Sequence, residues 1–436
     1  MCIREEIMQE AYKLRYQRVR KTTGVLLAAT AFSVPLSTTA TCILFPLATL
    51  LSLFSDPWHK KWRAISSHPV AIVLILFIAL YVIAAFYSVA PNRDIFHQFS
   101  KTSNLLCAVI LIGFSCEPPW RRYILNAFLI AMTITLGLSY IKYFFNPLLF
   151  FSTPFGKSSV FKDHIIQNFL MVITAFIFLY RSLTPVAPTF KLRTPNKWLN
   201  RWIYGILAFA AIFNALFIND GRSGYFIFAA LLFFSGGLYF GWRGFLVALI
   251  MAVLLSGLAY HFSDQFRWRI TELVQNTERY QKGEANTSVG IRIQSIKNAY
   301  VLFKQRPWLG HGTGGFHTAY ATLPPEKTQA TGDMRLSYNS YLNVGIELGI
   351  VGVFLLLMNF LIQWKYSYSL SGDYRYFMQA LLIGMVIGCL GNSWLSDTTE
   401  LHLYALFLGV AFSEMAARRA AWTGKPEEKL RSFQAA

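Results

Sequence analysis

Arginine carries a planar, permanently charged fork that matches phosphate oxygens two at a time. Two arginines stand where such a fork has a use. Arg222 sits in the turn Asp220-Gly221-Arg222-Ser223 between two apolar stretches, and Arg292 closes the run Ser288-Val289-Gly290-Ile291-Arg292. A third cation, Lys162, precedes another apolar stretch together with Lys157, Asp163 and His164. Further along, Gly310-His311-Gly312-Thr313-Gly314-Gly315-Phe316 is a glycine-rich turn whose backbone N–H groups can approach an anion. Plainer roles stay open for each. Arg222 can pair with Asp220 or reach lipid phosphate, since a charge at a membrane edge needs a partner or a function. The Lys162 group can be an interfacial anchor, and the glycine-rich turn a loose loop.

Other chemistries lack their residues. There is no phosphate-binding glycine loop of the Walker or dinucleotide type. The five cysteines (Cys2, Cys42, Cys107, Cys116 and Cys389) have neither disulfide-framework nor metal-ligand spacing. No Asp-x-Asp pair lies in the segments that carry the cations, so neither a metal nor a cofactor is expected. Asp397 and Glu400 read as helix caps at a turn.

Long helices must position these groups. Of the 436 residues, 55% are hydrophobic, 16% aromatic and only 14% charged. Soluble chains carry about 25% charged residues, and disordered ones are poor in apolar side chains. The apolar runs approach the ~20 residues that cross a bilayer as a helix. They fall at 24–36, 38–54, 70–90, 103–116, 122–145, 165–181, 202–219, 223–240, 244–261, 341–363, 376–396 and 401–418. The fold class expected is an all-α polytopic membrane protein of about twelve spans.

The formal charge of +19 admits two partners, nucleic acid and membrane. With the N-terminus inside, 24 of the basic residues fall on the inner side and 16 on the outer, ten of these in one long loop, 262–340. Short loops thus hold 24 inner against six outer basic residues, the bias that orients membrane proteins. Most of the charge is therefore topology, and nucleic acid is not a partner. The organisation expected is an N-terminal bundle (1–261), the outer loop domain (262–340), three further spans (341–418) and a basic inner tail (419–436). The loop is too long for a connector. It contains a charged amphipathic helix, 264–281, and a second helix with Ser288 as N-cap and Ile296, Ala299, Tyr300 and Phe303 on one apolar face. Pro307 ends that helix.

The run from Ser288 to Arg292, with Ala299, Phe303, Pro307-Trp308-Leu309-Gly310-His311-Gly312 and Phe316, resembles the signature of the O-antigen ligase family. Tyr338-Asn339-Ser340-Tyr341-Leu342 and Glu347-Leu348-Gly349 with Gly352 resemble its second half, and Arg222-Ser223 a third element. The resemblance covers about 220–355. It implies a GT-C-like membrane glycosyltransferase of a Gram-negative inner membrane, with both termini cytoplasmic and the active site facing the periplasm. The implied reaction moves O-antigen polysaccharide from undecaprenyl pyrophosphate to a lipid A–core sugar hydroxyl, inverting and without metal. Arg222 and Arg292 are the implied catalytic residues, stabilising the pyrophosphate. Lys162, His164, Gly310, His311, Gly312, Asn339 and Glu347 are the implied substrate contacts. O-antigen polymerases and protein O-oligosaccharyltransferases share the motif. A lipid-linked glycan flippase or transporter is a reading of another class, but it calls for half-to-half symmetry and mid-membrane charges.

One position departs from the family pattern. A histidine immediately before the Asn-Ser-Tyr-Leu run is the family's proposed general base or acceptor-orienting residue, and here Tyr338 stands there. Imidazole, near pKa 6.5, takes a proton at neutral pH, whereas a phenol near 10 mainly donates. Tyr338 then orients a substrate while another base acts, His311 and His317 being nearby in sequence, or the activity is impaired.

Overall fold

The computed structural model describes residues 2–114, 116–145, 158–184, 197–219 and 221–423. Asp220, Lys157 and the tail from 424 onward lie outside the described residues. The elements are α1 (Cys2–Ser33), α2 (Thr38–Ser52), α3 (Trp58–Ser66), α4 (Pro69–Ala85), α5 (Asn92–Ile112) and α6 (Pro118–Phe145). Then come α7 (His164–Leu183), α8 (Lys197–Phe213) running into a π-helical turn (Asn214–Ile218), α9 (Arg222–Phe240) and α10 (Arg243–Phe262). The long loop holds α11 (Asp264–Gln281), α12 (Ser288–Gln305), α13 (Phe316–Tyr320) and α14 (Pro325–Thr328). The chain closes with α15 (Ser340–Ser367), α16 (Asp373–Gly391) and α17 (Thr398–Thr423).

No strand occurs among the described residues. Each of the twelve apolar runs has most of its length in a helix of its own. Among the described residues, eight helices are long and apolar enough to cross a membrane, and α3 with α4, bent by 87°, counts as a ninth if taken as one span. The chain is an all-α, multi-pass membrane protein. Its α2 is only 15 residues long, and α16 stops at Gly391, five residues short of the apolar run read from sequence.

Burial sorts the helices. In α7, 78% of the apolar window is enclosed by protein, and the face of α17 from Leu401 to Phe412 is entirely buried. In α10 the figure is 11%, so its side chains are left to surrounding lipid. The loop helices stand on the bundle: α12 packs on α11, α13 and α15, with Ala299, Leu302, Phe316 and Ile346 in a small separate core. Its N-cap is Thr287, which accepts from the Gly290 N–H at 3.0 Å; Ser288 is the first helical residue. The buried face runs through Ser295, Asn298, Ala299 and Leu302, whereas Tyr300 points outward, one step off the stripe expected. Asn298 is drawn in because its amide donates to the Tyr320 hydroxyl (3.2 Å) and the Lys327 carbonyl (2.9 Å).

Candidate functional site

Gly349 breaks α15. Its φ of +67° lies in the left-handed region, and a Cβ there would sit 2.1 Å from the Trp308 carbonyl oxygen. The chain from Pro307 to Gly312 lies along this break. His311 N–H donates to Ile346 O (2.7 Å), Gly312 N–H to Glu347 O (2.9 Å), and Ile350 N–H to Pro307 O (2.7 Å). On its other side the turn meets the end of α4. A Cβ on Gly312 would fall 2.3 Å from Ser88 Cα, and Thr313 N–H donates to Ala84 O at 3.3 Å.

The glycine-rich turn is thus a clamp between α4, α12 and α15. Amide N–H groups of this turn donate to carbonyls, Gly310 N–H to Arg306 O and Gly312 N–H to Glu347 O, so the hydrogen bonds give Gly310 and Gly312 a positioning role. His311 faces inward. It is buried, with Nε2 against Leu302 O at 3.2 Å, and burial lowers its pKa. Glu347 is enclosed in a water-sized pocket with Tyr81 and Gln98, off the cavity described next. His317 is tied to Asp333 (2.7 Å) and Asp94 (3.6 Å).

With α12 and α15 clamped, their polar ends converge on the end of α16. Arg292 donates to Gly391 O at 3.4 Å, and its guanidinium lies 5.0 Å over the Tyr338 ring. Asn339 caps α15 by accepting from Leu342 N–H (2.9 Å) and donates to Leu390 O (3.0 Å). Asn392 donates to Ser223 Oγ (3.0 Å), bringing in the start of α9. The Gly221 turn is held by Asn168, which donates to its carbonyl at 2.7 Å; a Cβ on Gly221 would meet the His164 carbonyl at 2.6 Å, so His164 packs behind the turn. Arg222 donates to Glu272 (2.8 Å) and Ser288 (3.3 Å), and Arg269 shares that carboxylate at 2.8 Å.

Arg292 and Tyr338 form one wall of a cavity of about 450 Å³. Asp163, Asn392, Ser393, Asp397 and Glu400 line the rest, with Trp394 as an apolar panel. Carboxylates that the sequence separates between 163 and 400 thus face one space. Burial, and secondarily the neighbouring Asp163 charge, raise the Asp397 pKa, while its hydrogen bonds with Ser393 (3.1 and 3.2 Å) act the other way. Lys162 is buried and hydrogen-bonded to Thr38, close to Asp163 and Glu400. It balances these acids from behind the wall. Burial pulls the Arg292 guanidinium below its ordinary pKa, and the charge of Arg222 adds to this. Arg222 meets α12 at Ser288, one helical turn before Arg292, while its charge is paired with Glu272.

Residues 207–357 match the family model described as O-antigen ligase. Over these residues the chain is O-antigen ligase-like. The window contains Arg222, Arg292, Tyr338, Asn339 and the whole clamp. Members of the family are glycosyltransferase-like enzymes, and the match supports a ligase- or polymerase-type function. A protein of Haemophilus influenzae described as uncharacterized is 22% identical over 334 residues, covering 72% of this chain and 76% of its own. Asn392, Ser393 and Asp397 lie beyond the matched window. For Asn392 and Ser393 the signal in the sequence is the polar run Gly391-Asn392-Ser393 interrupting an apolar stretch.

Proposed function

We propose that the chain is an O-antigen ligase, transferring an assembled glycan from undecaprenyl pyrophosphate to a hydroxyl of lipid A–core on the periplasmic side of the inner membrane. The observation that carries this reading is Arg292, stacked on Tyr338 in the wall of a polar cavity, with Arg222 hydrogen-bonded to Ser288 one turn before it on α12. The leaving group is a pyrophosphate, whose charge grows as the glycosidic bond breaks. Fixed guanidinium groups stabilise that charge most when they are already in place. Acceptor attack from the face opposite the pyrophosphate inverts the anomeric centre, and the arginines supply the counter-charge without a metal.

The acceptor proton goes to Asp397 in this reading. Tyr338 is packed under the Arg292 guanidinium and orients it, whereas Asp397 lines the same cavity and has a pKa moved toward neutrality. The match fits a polymerase or a protein O-oligosaccharyltransferase in chemistry, and the acceptor separates them. Deleting the gene is expected to leave polymer on the lipid carrier and none on lipid A–core. Single repeats on the core would instead identify a polymerase.

A further inference from the structure

Three consecutive side chains of α7 hold three separate parts of the site. Neighbours on an α-helix point about 100° apart, so residues 167 to 169 face different partners, and all three are buried. Gln167 accepts from Val160 N–H at 2.8 Å and donates to Ser158 O at 3.2 Å, fixing the segment that leads into Lys162. Phe169 packs on Trp394, the apolar panel of the cavity, with ring centres 4.4 Å apart. Between them Asn168 donates to Gly221 O at 2.7 Å. The same carbonyl accepts from Gly224 N–H at 3.0 Å, which closes the first turn of α9. A Cβ on Gly221 or Gly224 would fall 2.6 or 2.5 Å from Asn168, so both glycines leave room for this one amide. Among the described residues the buried Asn168 Oδ1 finds no hydrogen bond. An unpaired buried acceptor costs free energy, so an apolar side chain would serve better if packing alone mattered here. Arg222 lies within this turn, and Ser223 beside it accepts from Asn392 at 3.0 Å. The turn is therefore held from α7 on one side and from the end of α16 on the other, while the guanidinium crosses to Glu272 and Ser288.

We propose that Asn168 is the positioning residue of Arg222: it sets the first turn of α9, and with it the point from which the guanidinium reaches α12. The proposal rests on the glycan-transfer reading, in which Arg222 acts on the donor pyrophosphate. Asn168 touches no substrate group in that reading and acts only through the backbone of Gly221. Loss of its N–H donor leaves Gly221 O to Gly224 alone and lets the turn rotate. Arginine carries its charge at the end of a long side chain, so a small rotation at the backbone becomes a larger displacement of the guanidinium. A misplacement of about 1 Å can lower a rate by as much as about 10²-fold.

The test is transfer by the purified full chain in detergent, from a lipid-pyrophosphate-linked glycan to lipid A–core, with kcat and acceptor KM measured separately. Asn168→Leu keeps the size of the side chain and removes the donor. It is expected to lower kcat about tenfold and leave the acceptor KM unchanged. In the Arg222→Ala background, whose residual rate is read at high enzyme concentration, the same change is expected to cost nothing further, because the residue it positions is gone. Gly224→Ala pushes on the same amide from α9 and is expected to repeat both results, so the comparison survives if Asn168→Leu does not fold. Equal losses with and without Arg222 would make Asn168 a general support of the bundle and overturn the proposal. An unchanged kcat in Asn168→Leu, beside a strong loss in Arg222→Ala, would overturn it too and leave the glycan-transfer reading standing. Full transfer by Arg222→Ala would overturn that reading, and the proposal with it.

Discussion

Arg292 is held by packing on one side and by backbone on the other, so its head is fixed before any substrate arrives. Such preorganised donors are each worth about 10²–10³ in rate, and Arg292→Ala is expected to lose that much transfer activity. Arg292→Lys should recover little, because a point charge cannot make two parallel contacts to phosphate; an initial-rate assay distinguishes these outcomes. Tyr338→His is expected to keep or raise activity, since imidazole retains the stacking plane and adds a base; a strong loss would show that the phenol itself is required. If Asp397 takes the proton, it must be ionised. With its pKa raised, the rate should fall as pH drops through a value above the ordinary carboxylate range near ~4. Asp397→Asn should abolish both that limb and most of the rate. A pH–rate profile without that limb in the unaltered protein would remove Asp397 from the role. The motif arginines were legible in sequence because type and spacing announce them. Asp397 was not, because only the folded bundle brings the start of α17 across from α12.

Among the elements, the broken α15 decides the geometry. Gly349 and Gly312 belong to one clamp, which explains in physical terms why glycines stand in both halves of the sequence signature. Gly312→Ala places a methyl carbon against Ser88 at a φ of +88°, a strain of about 1–3 kcal/mol beyond the clash. It is expected to lower the thermal midpoint in detergent and the transfer rate together. Thr287→Ala removes the α12 cap, worth about 1 kcal/mol. A smaller midpoint shift is expected there, with activity falling because Arg292 sits in the second turn; unchanged activity would separate the start of α12 from the site. The turn was visible in sequence as glycine-rich, but its use was not. An anion cradle and a backbone clamp need the same glycines, and only the hydrogen-bond partners tell them apart. The end of α16 was overrun because Trp394 and Leu395 continue the apolar pattern past the break at Gly391.

At the scale of the whole molecule, hydropathy predicted the helices well, since lipid leaves a spanning backbone little alternative. The sites between helices depend on pairings that hydropathy does not encode, such as α9 and α16 meeting through Ser223 and Asn392. From the charge bias, the loop 262–340 is expected outside. A cysteine replacing exposed Glu326 in α14 is therefore expected to react in intact spheroplasts with a membrane-impermeant maleimide, and one replacing exposed Lys60 in α3 only after permeabilisation. The reverse pattern would invert the orientation. The most direct measurement is transfer by the purified chain in detergent, with a lipid-pyrophosphate-linked glycan, lipid A–core acceptor and a metal chelator. The expected result is glycan on the core with release of lipid pyrophosphate, lost in Arg222→Ala and Arg292→Ala variants that still fold. Full transfer by the variant lacking both arginines would contradict it.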